Sequence, residues 1–202
     1  VRREDFIKKA LKAAQAARDR GASIVPEIAA AQAALESRYG RSKLAREANN
    51  LFGIKAGTSW KGPVIEIPTR EWDDVKGFIR VTARWRKYAN WEECFRDYGN
   101  IINRLPWFED AVKAARQNDA LGFLEGILSK PNEPGWATDP KYRDKVLSVA
   151  ESWGLLHPTV TSGTTPQRLV VSRFFLDGVE IEIEAASIVG HKLYVRTRRK
   201  EV

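Results

Sequence analysis

Ala31-Gln-Ala-Ala-Leu-Glu-Ser-Arg-Tyr-Gly-Arg-Ser-Lys-Leu-Ala-Arg-Glu-Ala-Asn-Asn-Leu-Phe-Gly-Ile-Lys-Ala56 places one acidic residue, Glu36, at the end of an apolar, Ala-rich helix, just before a turn at Tyr39 and Gly40. A helix C-terminus carries partial negative charge. Apolar neighbours disfavour ionisation, so both effects push the Glu36 carboxyl pKa upward. A carboxylic acid that keeps its proton near neutral pH is what protonates a leaving sugar oxygen.

Outward from this stretch, Pro26 suits a first helical position, and the helix is predicted to run to about Arg38. Before it, Phe6, Ile7, Ala10, Leu11 and Ala14 recur at helical spacing from about Arg3 to Arg18, and Gly21 ends that helix. After it, Ser42 caps a short helix that stops near Asn49 and Asn50. Val64-Ile-Glu-Ile-Pro-Thr-Arg-Glu-Trp72 and Phe78-Ile-Arg-Val-Thr-Ala-Arg-Trp85 read as two strands of a hairpin, with Pro68 marking an edge strand or a bulge. Helices then return. Asn90-Trp-Glu-Glu93 resembles a capping box, Cys94, Tyr98, Ile101 and Leu105 form one stripe, Pro106 begins another helix, and Asp119 caps the next. Thr138-Asp139-Pro140 starts a final helix ending at Gly154, which makes Asp139 a cap rather than a catalytic group.

The segment 157–167, rich in Thr and Pro, reads as a linker, and Val179-Glu-Ile-Glu-Ile-Glu184 alternates strictly after Asp177-Gly178, a hairpin turn signal. The expected organisation is a domain over residues 1–156, a linker over 157–167 and a small β module over 168–202.

Composition bounds the function. The chain has 202 residues, 43% of them hydrophobic, which supports a packed core. Thirty-four Lys and Arg against 26 Asp and Glu give a net charge of +8, which favours a polyanionic partner: nucleic acid or an anionic cell wall. The basic residues are scattered apart from Arg196–Lys200, so nucleic acid is not the expected partner. Cys94 is the only cysteine and reads as a small buried hydrophobe. His157 and His191 lie far apart, so neither a zinc site nor a Ser-His-Asp site is expected, and no cofactor is. No stretch reaches the roughly 18 apolar residues of a membrane span. The first residues enter an amphipathic helix directly, without a signal-peptide pattern, although a leader removed earlier would leave the same start.

Four ordered blocks carry a resemblance. Ala34-Leu-Glu-Ser-Arg-Tyr-Gly40, Ser42-Lys-Leu-Ala45, Asn49-Asn-Leu-Phe-Gly-Ile-Lys55 and Gly135-Trp-Ala-Thr-Asp-Pro-Lys-Tyr142 together resemble glycoside hydrolase family 73, the β-N-acetylglucosaminidases of autolysins, the flagellar rod-cap hydrolase and phage endolysins. The resemblance covers about residues 3 to 156. It implies an α+β fold: a lysozyme-like, mainly helical domain with a β-hairpin lobe, here followed by the small all-β C-terminal module. It also implies endo-cleavage of the β-1,4 bond between N-acetylglucosamine and N-acetylmuramic acid in peptidoglycan.

Glu36 matches the family's general acid, and Glu71, in Thr69-Arg-Glu-Trp72, falls where the family often carries a second acidic residue. Asn50 and Phe52 match a block that lines the cleft, although turn capping and core packing are their plain structural alternatives. Trp136 stands where the family usually has Tyr. Either Trp136 is a sugar platform or nearby Tyr142 supplies the hydroxyl.

The resemblance further implies peptidoglycan glycan strands and the anionic wall as partners, no membrane or nucleic acid, and a monomer. The implied location is extracellular or at the cell wall, with release through a holin as the phage route. A muramidase or a lytic transglycosylase shares the same helix-end Glu, and a basic nucleic-acid-binding protein is the non-enzyme alternative. The tail Phe175–Arg198 is similar to part of the copper amine oxidase N-terminal-like module, which implies no copper.

Overall fold

A computed structural model describes residues 2–73, 77–128, 130 and 133–156 and the strand segments 173–176, 179–189 and 192–199; its side chains are described over 2–68, 77, 82–128, 130 and 133–156. The chain divides into two compact units, Val1–Leu155 and Leu156–Val202.

The first unit is built around a buried helix. Helix α1 (Arg3–Asp19) leads through Gly21 into α2 (Pro26–Ser37), which packs against α1, against α6 (Ala120–Gly126) and against α7 (Tyr142–Ser152). Ile28, Ala29, Ala30, Ala31, Ala33 and Ala34 are wholly inaccessible to solvent. A helix apolar on every side belongs in the interior, and its alanines let the flanking helices approach closely. Around this centre Phe6, Phe95, Tyr98, Phe123 and Leu124 complete the core, and Cys94 is buried among them. Burial pushes the Cys94 thiol up to about 12, so it stays protonated.

The turn after α2 sets the direction of its last residues. Arg38, Tyr39 and Gly40 all have positive φ, at 54°, 56° and 76°. A Cβ on Gly40 would lie 2.9 Å from the Phe6 ring, so glycine is required there both by φ and by space. Ser37 fastens the helix end, donating to the Ala33 carbonyl at 2.5 Å and accepting from the Gly40 N–H at 2.8 Å. Helix α3 (Lys43–Ala48) follows, its Ser42 cap accepting from the Ala45 N–H.

Strands β1 (Val64–Asp73) and β2 (Gly77–Arg86) form a two-stranded antiparallel sheet with Pro68 opposite Thr82. Pro68 thus sits on an edge strand, where proline is tolerated, while the other side of the hairpin is bridged by Lys55 to Trp85 of β2. Helix α4 (Trp91–Arg104) starts at Asn90, which accepts from the Glu93 N–H at 2.9 Å, while Glu93 accepts from the Ala89 N–H at 3.0 Å. A single 3₁₀ turn (Pro106–Phe108) enters α5 (Glu109–Gln117), and Asp119 caps α6 through the Gly122 N–H.

The second unit holds a three-stranded antiparallel sheet of β3 (Arg173–Leu176), β4 (Val179–Val189) and β5 (Lys192–Arg199), ordered β3-β4-β5, with a register shift between Ile183 and Ala185. The linker 157–167, His157, His191 and the Asp177-Gly178 turn lie outside the described residues.

Candidate active site

Glu36 ends up at a groove because α2 stops one residue later. The groove has a volume of about 730 Å³ and opens between the C-terminal end of α2, the 52–54 loop, the end of α4 with the turn after it, and the 134–145 segment. Ile101, Leu105, Trp107, Phe52 and Trp136 give it apolar walls, while Glu36, Asp139, Tyr142 and Lys145 supply its polar groups.

A continuous hydrogen-bond chain runs from the core to the Glu36 carboxyl. Tyr98 donates to Gln32 Oε1 at 2.8 Å, Gln32 Nε2 donates to the Tyr142 hydroxyl at 3.1 Å, and that hydroxyl donates to Glu36 Oε1 at 2.8 Å. Tyr98 and Gln32 are fully buried, and Tyr142 is 4% exposed. Burial holds both tyrosines protonated, well above the ordinary phenol range, so each remains a donor. Gln32 lies one helical turn before Glu36, on the same face of α2. Its amide, engaged at both ends, aims the Tyr142 proton at Glu36.

Glu36 as a residue is exposed to the groove, yet its carboxyl is partly withdrawn from water by surrounding protein. That desolvation raises its pKa above the ordinary carboxylate value, and the Tyr142 hydrogen bond opposes the rise more weakly. Asp139 is the contrasting acid. It accepts from Lys145 Nζ at 2.5 Å and from the Lys141 N–H at 2.9 Å, and Lys145 foremost holds its carboxyl below the usual range. Among the described residues these two carboxylates line the groove, one biased to keep its proton and one to lose it.

Of the residues expected at the site, Glu36, Phe52, Trp136 and Tyr142 meet at the groove. Phe52 is 5% exposed and forms its floor, stacked on Tyr98 at 4.3 Å between ring centroids. Trp136 is half-buried, held by its backbone N–H to the Ile127 carbonyl at 2.8 Å, with its ring in edge contact with Phe52 and Tyr98. The hydroxyl that reaches the acid is that of Tyr142.

Asn50 corrects the expectation of a cleft residue. It is 1% exposed and does not line the groove. Its Nδ2 donates to the Ile54 and Arg86 carbonyls at 2.9 Å each, and its Oδ1 accepts from the Ile54 N–H at 2.9 Å. The side chain clamps the 50–54 loop onto the base of the hairpin, so it shapes the groove from behind. Glu71 lies in β1 opposite Ile79, and its side chain is outside the described residues.

Gln32 and Tyr98 were not singled out as site residues from the sequence. The signal for Gln32 was a polar residue inside a buried Ala run, four before the acid; for Tyr98 a hydroxyl on a core stripe gave none.

The sequence pattern of the glucosaminidase family, described as mannosyl-glycoprotein endo-beta-N-acetylglucosaminidase, matches residues 11–155. The chain belongs to the glucosaminidase family. This family member is 37% identical over 131 residues to the peptidoglycan hydrolase FlgJ of Vibrio parahaemolyticus, across 63% of its own length and 40% of that protein's. It is 34% identical over 139 residues to the exo-glucosaminidase LytG of Bacillus subtilis, across 65% and 45%. The chain thus spans less than half the length of these curated relatives.

In structure the glucosaminidase-family chain is similar to a C-terminally truncated glycoside hydrolase domain of Salmonella typhimurium FlgJ, with a TM-score of 0.62 and 31% identity over 77% of this chain and 99% of that one. The helical unit with its two-stranded sheet therefore has the lysozyme-like glycoside hydrolase fold. Among the described residues, no group of three or more His, Cys, Asp or Glu is placed to hold a metal ion, and no helix is long and apolar enough to cross a membrane.

Proposed function

We propose that this domain cleaves the β-1,4 bond after N-acetylglucosamine in peptidoglycan glycan strands, with Glu36 as the general acid. The observation that carries the reading is the carboxyl of Glu36, set at the groove, biased toward its protonated form and held at Oε1 by Tyr142. With Oε1 engaged as acceptor, Oε2 is left to deliver the proton to the leaving sugar oxygen. Phe52, Trp136 and Trp107 offer apolar faces for the sugar rings. The names of FlgJ, a peptidoglycan hydrolase, and LytG, an exo-glucosaminidase, support the substrate class.

Two routes finish the reaction. Glu71 activates a water on the far side of the sugar, which inverts the anomeric centre and needs a carboxyl separation of about 6.5 to 9.5 Å. Alternatively the substrate's own 2-acetamido oxygen attacks, which retains configuration without a protein nucleophile. Asp139 is not assigned as the base, because its oxygens are engaged by the Lys141 N–H and by Lys145 Nζ.

The domain limits 1–156, 157–167 and 168–202 are part of the same proposal, with the last segment a small all-β module similar to the copper amine oxidase N-terminal-like one. So are a monomeric state and action on the wall outside the membrane.

Mass analysis of a peptidoglycan digest tests the reading. Reducing N-acetylglucosamine ends are expected. Reducing muramic acid ends would replace it with a muramidase, and anhydro-muramic ends with a lytic transglycosylase.

A further inference from the structure

Behind the Glu36 turn lies a second hollow, of about 490 Å³, which none of the catalytic groups above occupies. Arg3, Arg38 and Arg41 line it over a floor of Ala34, Leu35 and Val149, with Tyr39 at its side. Leu35 also lines the catalytic groove, so the two depressions share one wall.

Several features make this more than chance surface charge. Among the described residues, no carboxylate pairs with any of the three arginines; the nearby acids Asp5 and Glu4 are taken by Arg2 and Lys8. One of the cations is also held. Arg3 stacks over the Tyr39 ring at 4.9 Å, and that ring is fixed by the edge of Phe6 and by Trp153 Nε1 donating to its hydroxyl at 3.2 Å. Arg38 and Arg41 sit on one hydrogen-bonded turn, the Arg41 N–H donating to the Arg38 carbonyl at 3.3 Å. That turn keeps two successive non-glycine residues at positive φ, Arg38 at 54° and Tyr39 at 56°. The N-terminus of α1, starting at Arg3, adds its partial positive charge to the same spot.

We propose that this hollow is an oxyanion subsite that takes a carboxylate of the stem peptide carried by the glycan strand lying in the groove. The inference rests on the peptidoglycan reading of the main site and deepens it. Guanidinium groups match carboxylates in a planar, two-bonded fashion, and a muramic acid residue presents its peptide beside the sugar chain. The shared Leu35 wall puts the hollow beside Glu36, where a substituent of a bound strand falls. The subsite discriminates peptide-bearing strands from bare ones.

The test compares the wild type with Arg3→Gln/Arg41→Gln and with Arg38→Gly, on peptidoglycan freed of other wall polymers and on glycan strands stripped of their peptides, with whole walls that keep their phosphodiester polymers as a third substrate. Glycine is at ease at φ 54°, so Arg38→Gly removes the cation while leaving the turn intact. The expected result is a KM higher by roughly tenfold or more on the peptide-bearing substrate, the scale of lost charge-assisted hydrogen bonds, with kcat and all activity on stripped strands unchanged. Equal losses on both substrates, or no loss on either, would overturn the subsite. A loss seen only on walls that still carry phosphodiester polymers would overturn the peptide assignment and make phosphate the ligand. A wild type inactive on both substrates would instead overturn the main functional reading, and this inference with it.

Discussion

Glu36 and Tyr142 show how one side chain is tuned by two opposed effects. Desolvation raises the acid's pKa, and the phenol that holds it lowers it. Activity that needs the protonated acid falls as pH rises through this raised pKa, so the alkaline limb of kcat/KM lies above the ordinary carboxylic range. Tyr142→Phe removes the effect that lowers the pKa. The expected outcome is a limb shifted to higher pH together with a maximal rate reduced by about tenfold, the scale of one hydrogen bond to an ionisable group. Profiles of the two proteins check it; a limb that moves down would mean that the hydroxyl does not donate to the acid.

At the scale of elements, the 50–54 loop and the hairpin base act as one piece. Asn50 makes two hydrogen bonds within the loop and one to the hairpin at Arg86, whose side chain in turn pairs with Asp97 of α4 at 2.7 and 2.9 Å. Asn50→Ala leaves buried backbone groups without partners, so a stability loss of about 2–3 kcal/mol is expected in denaturant unfolding, with KM little changed at temperatures where the variant is folded. A raised KM at full stability would return Asn50 to the substrate. This residue also shows where sequence reading ends. The helix run around Glu36, the Ser42, Asn90 and Asp119 caps and the two strands were legible, because spacing and cap chemistry are local. The partner of Asn50 is a carbonyl 36 residues away, and that of Glu36 a phenol 106 residues away. Such pairs are decided by packing, so the sequence allowed Asn50 a turn or a cleft and left Trp136 and Tyr142 as alternatives for one role. The packed structure gives them different ones: a wall and a donor.

Across the whole molecule, the family match ends at residue 155, and the first compact unit is Val1–Leu155. Val146, Ala150 and Leu155, at the end of that unit, are buried in its core. A chain truncated after Leu156 is therefore expected to unfold cooperatively and to cleave soluble glycan strands at a rate within about twofold of the full chain, the scatter expected from an uncoupled segment. Loss of the cooperative transition would place part of the core beyond that boundary. The net charge of +8 predicts in addition that wall binding weakens with added salt, as surface ion pairing is screened. Retention unchanged between dilute and molar salt would assign adhesion to uncharged contacts.

The most direct measurement is the pH dependence of peptidoglycan cleavage by wild type and Glu36→Gln, read beside their thermal unfolding. Removing the general acid is expected to lower the rate by about 10²–10⁴ on the acidic side of the wild-type alkaline limb, and to remove that limb. The raised folded-state pKa means that Glu36 contributes its stability in acid and loses it as pH rises through that pKa. The variant should therefore melt no lower than wild type at neutral pH. Near-wild-type cleavage by folded Glu36→Gln would contradict the account.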